Sequence, residues 1–536
     1  MSDKSRLVYG IDLGTTYSCI SQVNKHDEAE VIRNFDGGST TPSVVYINGE
    51  QVIVGQEAKS LSAEEPEKTV AFIKREMCET TSFDKPTRFP GGMDPCEISS
   101  LILKKLVKDA NEANDNPEPI KDVVITCPAY FGTTERLRTK QAGILAGLNV
   151  LAIINEPTAA AISYGMRVNQ RKVIMVYDLG GGTFDVTIIR VDGGTIKVIT
   201  TGGDHHLGGV DWDMLLAEYM LSIYNKEHDT TYTLDSDAKL KNILLLEAEQ
   251  KKKILTAKKD APISEQKAKA TIIYNGVSTK VEITRELFDQ LTAGKLQETI
   301  DKTLEQVEIA KGKGFDKIDE VLLVGGSSRM PQIKQRIDAE LGVNARLDDP
   351  DECVAKGAAI FAMNEEFIRA MEEYENDDTG EAEKPKPILN SNRTRIVNVT
   401  SKTYGIGVIN DKVSNLLFAN TALPAKVAGN YQTVEDNQSG VDIIVFESDV
   451  TDENTEQTID RRFAIKIDEK HLPFSKYYPA ETPLDIIFEV DNEGILSVHA
   501  EVDEIDVIDF TLEIKGVKNE QQLAAAQAEI EKLNIE

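Results

Sequence analysis

Asp178-Leu179-Gly180-Gly181-Gly182-Thr183-Phe184-Asp185 and Ile11-Asp12-Leu13-Gly14-Thr15-Thr16-Tyr17-Ser18 are two versions of one segment, and reading them together decides the fold. Each follows a short apolar run of β type, Val173–Tyr177 in one case and Leu7-Val8-Tyr9 in the other. Each opens with a carboxylate and continues with small residues whose backbone N–H groups can approach a phosphate closely. One copy alone reads as an ordinary turn, because turns favour Asp and Gly. Two copies sharing Asp-Leu-Gly and a threonine read as an internal duplication, with a nucleotide gripped from both sides.

Around these segments the pattern from residue 1 to 371 alternates β-branched runs with amphipathic stretches, the mark of an α/β domain. Strands are expected at Lys121–Cys127, Val173–Tyr177, Val186–Arg190 and Glu320–Val324. Helices are expected at Thr134–Leu148, Trp212–Tyr224, Asp237–Thr256 and Leu287–Ala310. Residues 372–395 are polar, acidic at first and then carrying Pro385 and Pro387, and read as a solvated linker. From 396 to 515 short alternating segments such as Val441–Phe446, Arg462–Ile467 and Leu484–Val490 predict an all-β sandwich. The end of the chain, 516–536, reads as one short helix over Asn519–Leu533.

The bulk composition narrows the function further. A net charge of -30 over 536 residues argues against general binding of nucleic acid or an anionic membrane, which needs a basic footprint. Five scattered cysteines carry no metal-ligand spacing and read as reduced thiols. With no leader and no apolar run of spanning length, the expected location is cytoplasmic. His205-His206 is no metal pair, since adjacent residues on an extended segment face opposite ways and no further ligands accompany them. No Gly-Lys-Ser/Thr segment of P-loop type is present.

Further segments complete the pattern: Cys127-Pro128-Ala129-Tyr130-Phe131, Asn155-Glu156-Pro157-Thr158-Ala159-Ala160-Ala161, Leu207-Gly208-Gly209, Val324–Pro331, Gly357-Ala358-Ala359 and Glu435-Asp436-Asn437-Gln438-Ser439. In this order, over nearly the whole length, they resemble the heat-shock-70 (DnaK-like) chaperone family. The resemblance implies an α/β, actin-like two-lobed ATPase followed by a β-sandwich that holds extended apolar peptide. It implies ATP/ADP, Mg²⁺ and K⁺ as cofactors, with Asp12, Glu156, Asp178 and Asp185 organising the ions, in part through water. Lys74 matches the lysine that reaches the γ-phosphate, and Gly14, Thr15, Thr16 and Tyr17 face Gly181, Gly182 and Thr183 across the phosphates. Glu249, Lys252, Lys253 and Thr256, with Gly326, Ser327, Ser328, Arg329 and Asp351, match the adenosine side. Pro128 and Arg136 match a proline switch and relay arginine, and Ile409, Tyr431, Val434, Val441 and Ile443 match the peptide cleft. Val441 and Ile443 fit a sandwich core equally well. Implied partners are unfolded polypeptides, a J-domain co-chaperone and a nucleotide exchange factor.

Four positions depart from the family pattern. Lys253 stands where relatives place an arginine that stacks on adenine, and lysine lacks the planar guanidinium. Ala152 replaces an arginine that engages J-domains. The stretch Thr394-Arg395-Ile396-Val397-Asn398 offers only Ile396 and Val397 for docking. The chain stops at Glu536, before the family's helical lid, so fast peptide exchange is expected. Two readings of function stand at this point: an ATP-hydrolysing chaperone, or a weakly hydrolysing nucleotide-regulated binding module. A sugar kinase would share the phosphate clamp, but the β domain argues against it.

Overall fold

The computed structural model describes residues 7–536 apart from 115–118, 166–170, 193–194, 376–394, 452–453, 455, 504 and 513–516. Its first feature is the duplication made physical. One sheet runs in the order Ala29–Ile32, Tyr17–Val23, Val8–Asp12, Asp122–Cys127, Asn149–Asn155. The other runs Thr195–Asp204, Phe184–Asp192, Lys172–Leu179, Glu320–Val324, Arg346–Leu347. In both, three antiparallel strands are followed by two parallel ones, and the Asp-Leu-Gly turn joins the same pair of strands. Strands continuous in Val, Ile and Leu are what a sheet covered on both faces requires.

Two helices seal the lobes together. Glu156–Gly165 and Cys353–Glu375 pack between the sheets, and their alanines share one core with Val8, Val124, Ile174, Val176 and Leu322. The approach is too close for side chains: a Cβ on Gly357 would stand 1.8 Å from the Ala159 carbonyl oxygen. This is the structural reason for Gly357-Ala358-Ala359 and for the alanine run at 159–161.

Helix ends follow the local chemistry. Asp237 caps Ala238–Ala257 by accepting from the Leu240 N–H, and Thr284 caps Arg285–Gly312 through the Leu287 N–H. The observed helices are Thr133–Leu145, Gly209–His228, Ala238–Ala257 and Arg285–Gly312, each within a few residues of expectation. Arg462–Ile467 differs. Asp460 accepts from the Arg462 N–H and bends Arg461–Phe463 into a 3-10 turn, and the strand begins only at Ile465.

The C-terminal β region is a sandwich. Five strands in the order Thr458–Asp460, Lys412–Leu417, Thr403–Val408, Gln438–Ser448, Ile465–Tyr478 face four in the order Ala425–Gln432, Pro483–Val490, Leu496–Val502, Asp506–Thr511. Alternating residues of Pro483–Val490 and Leu496–Val502 fill the space between them. Phe488 is fully enclosed there, so Phe488→Ala is expected to destabilise the sandwich by about 3–5 kcal/mol in a denaturant titration.

Two boundaries are corrected. The helix from Cys353 continues through Glu375, so residues 372–375 are helical and the rest of the expected linker up to 394 lies outside the described residues. Arg395–Val397 is a strand of the second lobe's sheet, parallel to Thr195–Asp204 with Ile396 opposite Ile196. The chain thus enters the sandwich after a docked strand. At the other end, Glu520–Ile530 is helical and Asn534–Ile535 pairs parallel with Gln51–Val52. Ile530 and Ile535 are buried in the core of the first lobe, so this helix lies against that lobe and not over the sandwich. Among the described residues, no helix is long and apolar enough to cross a membrane.

Candidate active site

The two Asp-Leu-Gly turns meet at the bottom of a cavity of about 940 Å³ between the lobes. Their contact is backbone-close: a Cβ on Gly181 would lie 2.1 Å from Thr16 Oγ1, and one on Gly182 would lie 2.2 Å from Thr15 Cγ2. Only glycine permits these loops to face each other across so narrow a gap. Arg75 adds a tie, donating from Nε to the Gly182 carbonyl at 2.7 Å and pairing through Nη2 with Asp211 at 2.6 Å.

Lys74 comes in from the first lobe. Phe72 adopts φ 60°, an uncommon conformation for a bulky residue, and starts the short helix Ile73–Glu76 that aims the lysine into the cleft. Its buried ammonium pairs with Glu156. Burial opposes the charge, but Glu156 and Asp12 overcome it and hold the Lys74 ammonium above its ordinary range. Asp12 accepts from Thr126 Oγ1 at 3.1 Å. Burial, then the charge of Glu156, pushes Asp12 up to about 7. The same two causes raise Asp178 and Asp185 well above the carboxylate range. The cleft floor is therefore a cluster of acids with one fixed cation, in a setting where charge is worth far more than in water.

Toward the mouth, Tyr17 lies between two ammonium groups. Lys59 and Lys253 donate to Tyr17 Oη at 3.0 and 2.9 Å, and Tyr17 Oη donates to Glu249 at 3.2 Å. Burial raises Glu249, but Lys59 and Lys253 prevail and hold it at about 2. Since Lys59 belongs to the first lobe and Glu249 to the second, their pair bridges the opening.

Most of the expected nucleotide residues line this cavity: Asp12, Gly14, Thr15, Thr16, Tyr17, Lys74, Glu156, Asp178, Gly181, Thr183, Glu249, Lys252, Lys253, Thr256, Gly326, Ser327, Arg329 and Asp351. Three do not. Gly182 turns its carbonyl to Arg75. Ser328 donates to the Val324 carbonyl and accepts from the Leu179 N–H, tying the loop to its strand. Asp185 sits behind the floor and accepts from the Ala129 N–H at 2.8 Å. Lys252 reaches the wall, but its ammonium is held by Asp213 and the Gly209 carbonyl, both at 2.7 Å. Sequence reasoning missed Lys59, Arg75 and Thr126. Arg75 was signalled only by standing next to Lys74, and the other two carried no signal, because their partners lie far away along the chain.

Behind the floor a continuous path leads to the sandwich. Asp185 holds Ala129, next to Pro128, and Pro128 accepts from the Phe131 N–H at 3.2 Å. Arg136 donates to the Phe131 carbonyl at 3.0 Å and to Asn155, and it lies beneath the Gly494 turn of the sandwich. Thr133 donates to the Gly494 carbonyl at 2.9 Å, Ser401 to the Phe131 carbonyl at 2.8 Å, and Lys140 pairs with Glu493. Ala152 is enclosed in the core between the lobes. His205 packs against Tyr130 and Cys78 while the more exposed His206 pairs with Glu79; the two lie in a turn after the strand Thr195–Asp204, not on the extended segment expected.

On the sandwich, Ile409 and Val434 are 62% and 56% exposed, and Tyr431 is half-buried, donating to Ser414 Oγ at 3.2 Å across the two sheets. Val441 is partly buried. Ile443 is 1% exposed and belongs to the sandwich core, which corrects its expected place on an open cleft. A strand residue facing inward between two sheets is core first.

Comparison with known proteins agrees with this architecture. The Hsp70 protein family matches residues 8–89 and 84–535. The chaperone protein DnaK of Thermotoga neapolitana is 37% identical over 505 residues, covering 93% of this chain and 79% of that protein. DnaK of Thermosipho melanesiensis is 36% identical over 508 residues with the same coverage. DnaK of Halobacterium salinarum is 34% identical over 507 residues, covering 93% and 73%. With a duplicated two-lobed cleft, a docked β-sandwich and relatives matched over nearly its whole length, the chain belongs to the Hsp70 family of ATP-hydrolysing chaperones.

Proposed function

We propose that residues 1–371 form the ATPase, that the sandwich holds extended apolar peptide, and that the two communicate through the docked strand Arg395–Val397 and the Pro128–Arg136 path. The observation that carries this reading is the chain of contacts from the Asp185 carboxylate beneath the cleft to the Gly494 turn of the sandwich. ATP enters between the two glycine turns. Thr15, Thr16, Gly181 and Thr183 line its phosphates, and Tyr17, Glu249, Lys253, Thr256, Ser327 and Arg329 line its adenosine side. Lys74, charged and fixed between two carboxylates, orients the attacking water and neutralises charge that builds on the γ-phosphate.

The acids of the cleft fit a hydrated Mg²⁺ and neighbouring K⁺. Asp12, Glu156 and Asp178 line the cleft and would hold the ion through its water shell, with Asp185 behind them, and their crowded burial leaves charge that a cation would offset. Bound there, Mg²⁺ would neutralise phosphate charge. Thr126 donates to Asp12 and orients its carboxylate.

Peptide would lie between Ile409, Tyr431 and Val434, with Val441 near the floor. The exposure of Ile409 and Val434 favours fast exchange in this docked arrangement. Unfolded polypeptides are then the clients. The family reading also implies a J-domain co-chaperone and an exchange factor, with the J-domain contact weakened by the buried, neutral Ala152. A reducing, cytoplasmic setting suits the five free cysteines.

The test is ATP turnover with and without an excess of extended apolar peptide. Turnover that rises with peptide supports coupling. Turnover indifferent to peptide would move the protein to the binding-module reading. The double substitution Ile396→Ser/Val397→Ser is expected to leave basal turnover within about two-fold and abolish the rise, because it removes apolar surface from the docked strand without touching the cleft.

A further inference from the structure

The interface between ATPase and sandwich holds two carboxyls that neither the cleft nor the peptide groove uses. Glu135 comes from the ATPase helix Thr133–Leu145 and Glu447 from the sandwich strand Gln438–Ser448. They are 7% and 6% exposed. Each leaves its Oε2 without a hydrogen-bond partner. Both oxygens crowd the same glycine: a Cβ on Gly132 would lie 2.7 Å from Glu447 Oε2 and 3.2 Å from Glu135 Oε2. Two ionised carboxylates in such a place repel each other and forgo hydration, whereas one shared proton removes the repulsion.

We propose that Glu135 and Glu447 share a proton when the sandwich docks on the ATPase, so that docking takes up a proton and is weakened as pH rises. Burial first, then the Glu135 charge, pushes Glu447 up to about 8 from its ordinary 4.5, against the opposing pull of Lys402. Burial raises Glu135 as well. Once the domains separate, both return to water and ionise. Between the ordinary value and about 8 the docked form carries a proton that the separated form lacks. Docking therefore loses strength with rising pH across that window and levels off above it.

The other groups facing the pair titrate elsewhere. Lys402, the nearby cation, pairs with Asp449 and stays charged. Asp449 is held low by Lys402 in spite of burial. Arg138 on the ATPase helix is engaged with the Met77 carbonyl and the Phe83 ring. Burial pushes Tyr404 and Cys78 upward, so neither ionises near neutrality. Burial, then Lys402, lowers His205 to about 3, an effect of opposite sign confined to pH values below its ordinary 6.5. The interval from about pH 7 to about pH 8 belongs to the carboxyl pair.

The experiment uses the full chain with saturating ATP, comparing wild type with the isosteric Glu135→Gln/Glu447→Gln variant. Small-angle scattering reads the docked fraction, and infrared spectroscopy reads protonated carboxyl. Neither depends on turnover or peptide binding, so failure here is separable from failure of the chaperone reading. The docking constant of wild type is expected to fall about five-fold from about pH 7 to about pH 8, and that of the variant by less than about two-fold. The wild-type infrared spectrum at neutral pH is expected to contain a protonated-carboxyl band missing from the variant. Equal pH dependence in the two proteins, or no such band in wild type, overturns the proposal. Should the variant fold poorly, a wild-type docked fraction that does not change with pH, or a wild-type band that persists through the window, overturns it equally.

Discussion

Replacing Lys74 with alanine is expected to cut single-turnover ATP hydrolysis by about two to three orders of magnitude while leaving nucleotide binding within about ten-fold. The lysine is the cation fixed on the cleft floor, held by Glu156 and raised above its ordinary range by two carboxylates. Its removal leaves those acids facing the γ-phosphate with nothing to neutralise the charge that develops in the transition state. Binding should suffer less, because Tyr17, Glu249, Ser327 and Arg329 contact the far end of the cavity. Lys74→Arg would restore charge but not fit, since Lys74 is enclosed and its helix is anchored by the constrained Phe72. A Lys74→Ala protein that turns over normally would show that Lys74 serves only to satisfy Glu156.

Gly182→Ala should do comparable harm by a different route. The added Cβ would stand 2.2 Å from Thr15 Cγ2 and 2.7 Å from Thr15 Cβ, so the two phosphate turns must separate. Thr15 is buried and cannot swing aside. A shift of about 1 Å between groups that must converge on one phosphate costs roughly a hundred-fold in rate. The Arg75 tie to the Gly182 carbonyl would loosen with it, and turnover measured at saturating ATP is the readout. Gly294→Ala is the control for glycine chemistry alone, since it also changes a glycine, in ordinary helical backbone, yet meets no atom within 4 Å. A Gly182→Ala enzyme as active as wild type would mean that the turns open freely to admit nucleotide.

How far these sites were legible in the sequence depended on where each residue's partners lie. The two glycine turns could be read because the duplication repeats them, and sheet order repeats with them. Asp237 marks its helix start because a cap is local chemistry, made within three residues, whereas the helix capped by Thr284 was expected only from Leu287. Arg462 was misread as strand because a single hydrogen bond from its N–H to Asp460 outweighs the alternation of the residues that follow. Ser328 and Gly182 stood inside correct motifs but support them from behind, a distinction set by which way a loop turns its carbonyl or hydroxyl.

Lys74 was identified through the family resemblance; the amino-acid sequence by itself determined the α/β duplication, the phosphate turns with their leading acids, and the alternating strands of the sandwich. All of these rest on periodicity, turn chemistry and motifs within short spans. Only the tertiary structure decided that Arg395–Val397 docks as a strand, that Lys59 meets Glu249 across the cleft mouth, and that Glu135 and Glu447 are both buried beside Gly132. Those pairings join residues roughly two to three hundred positions apart. Their energies depend on burial and on distance between charges, which come into being only when the lobes and the sandwich close on one another.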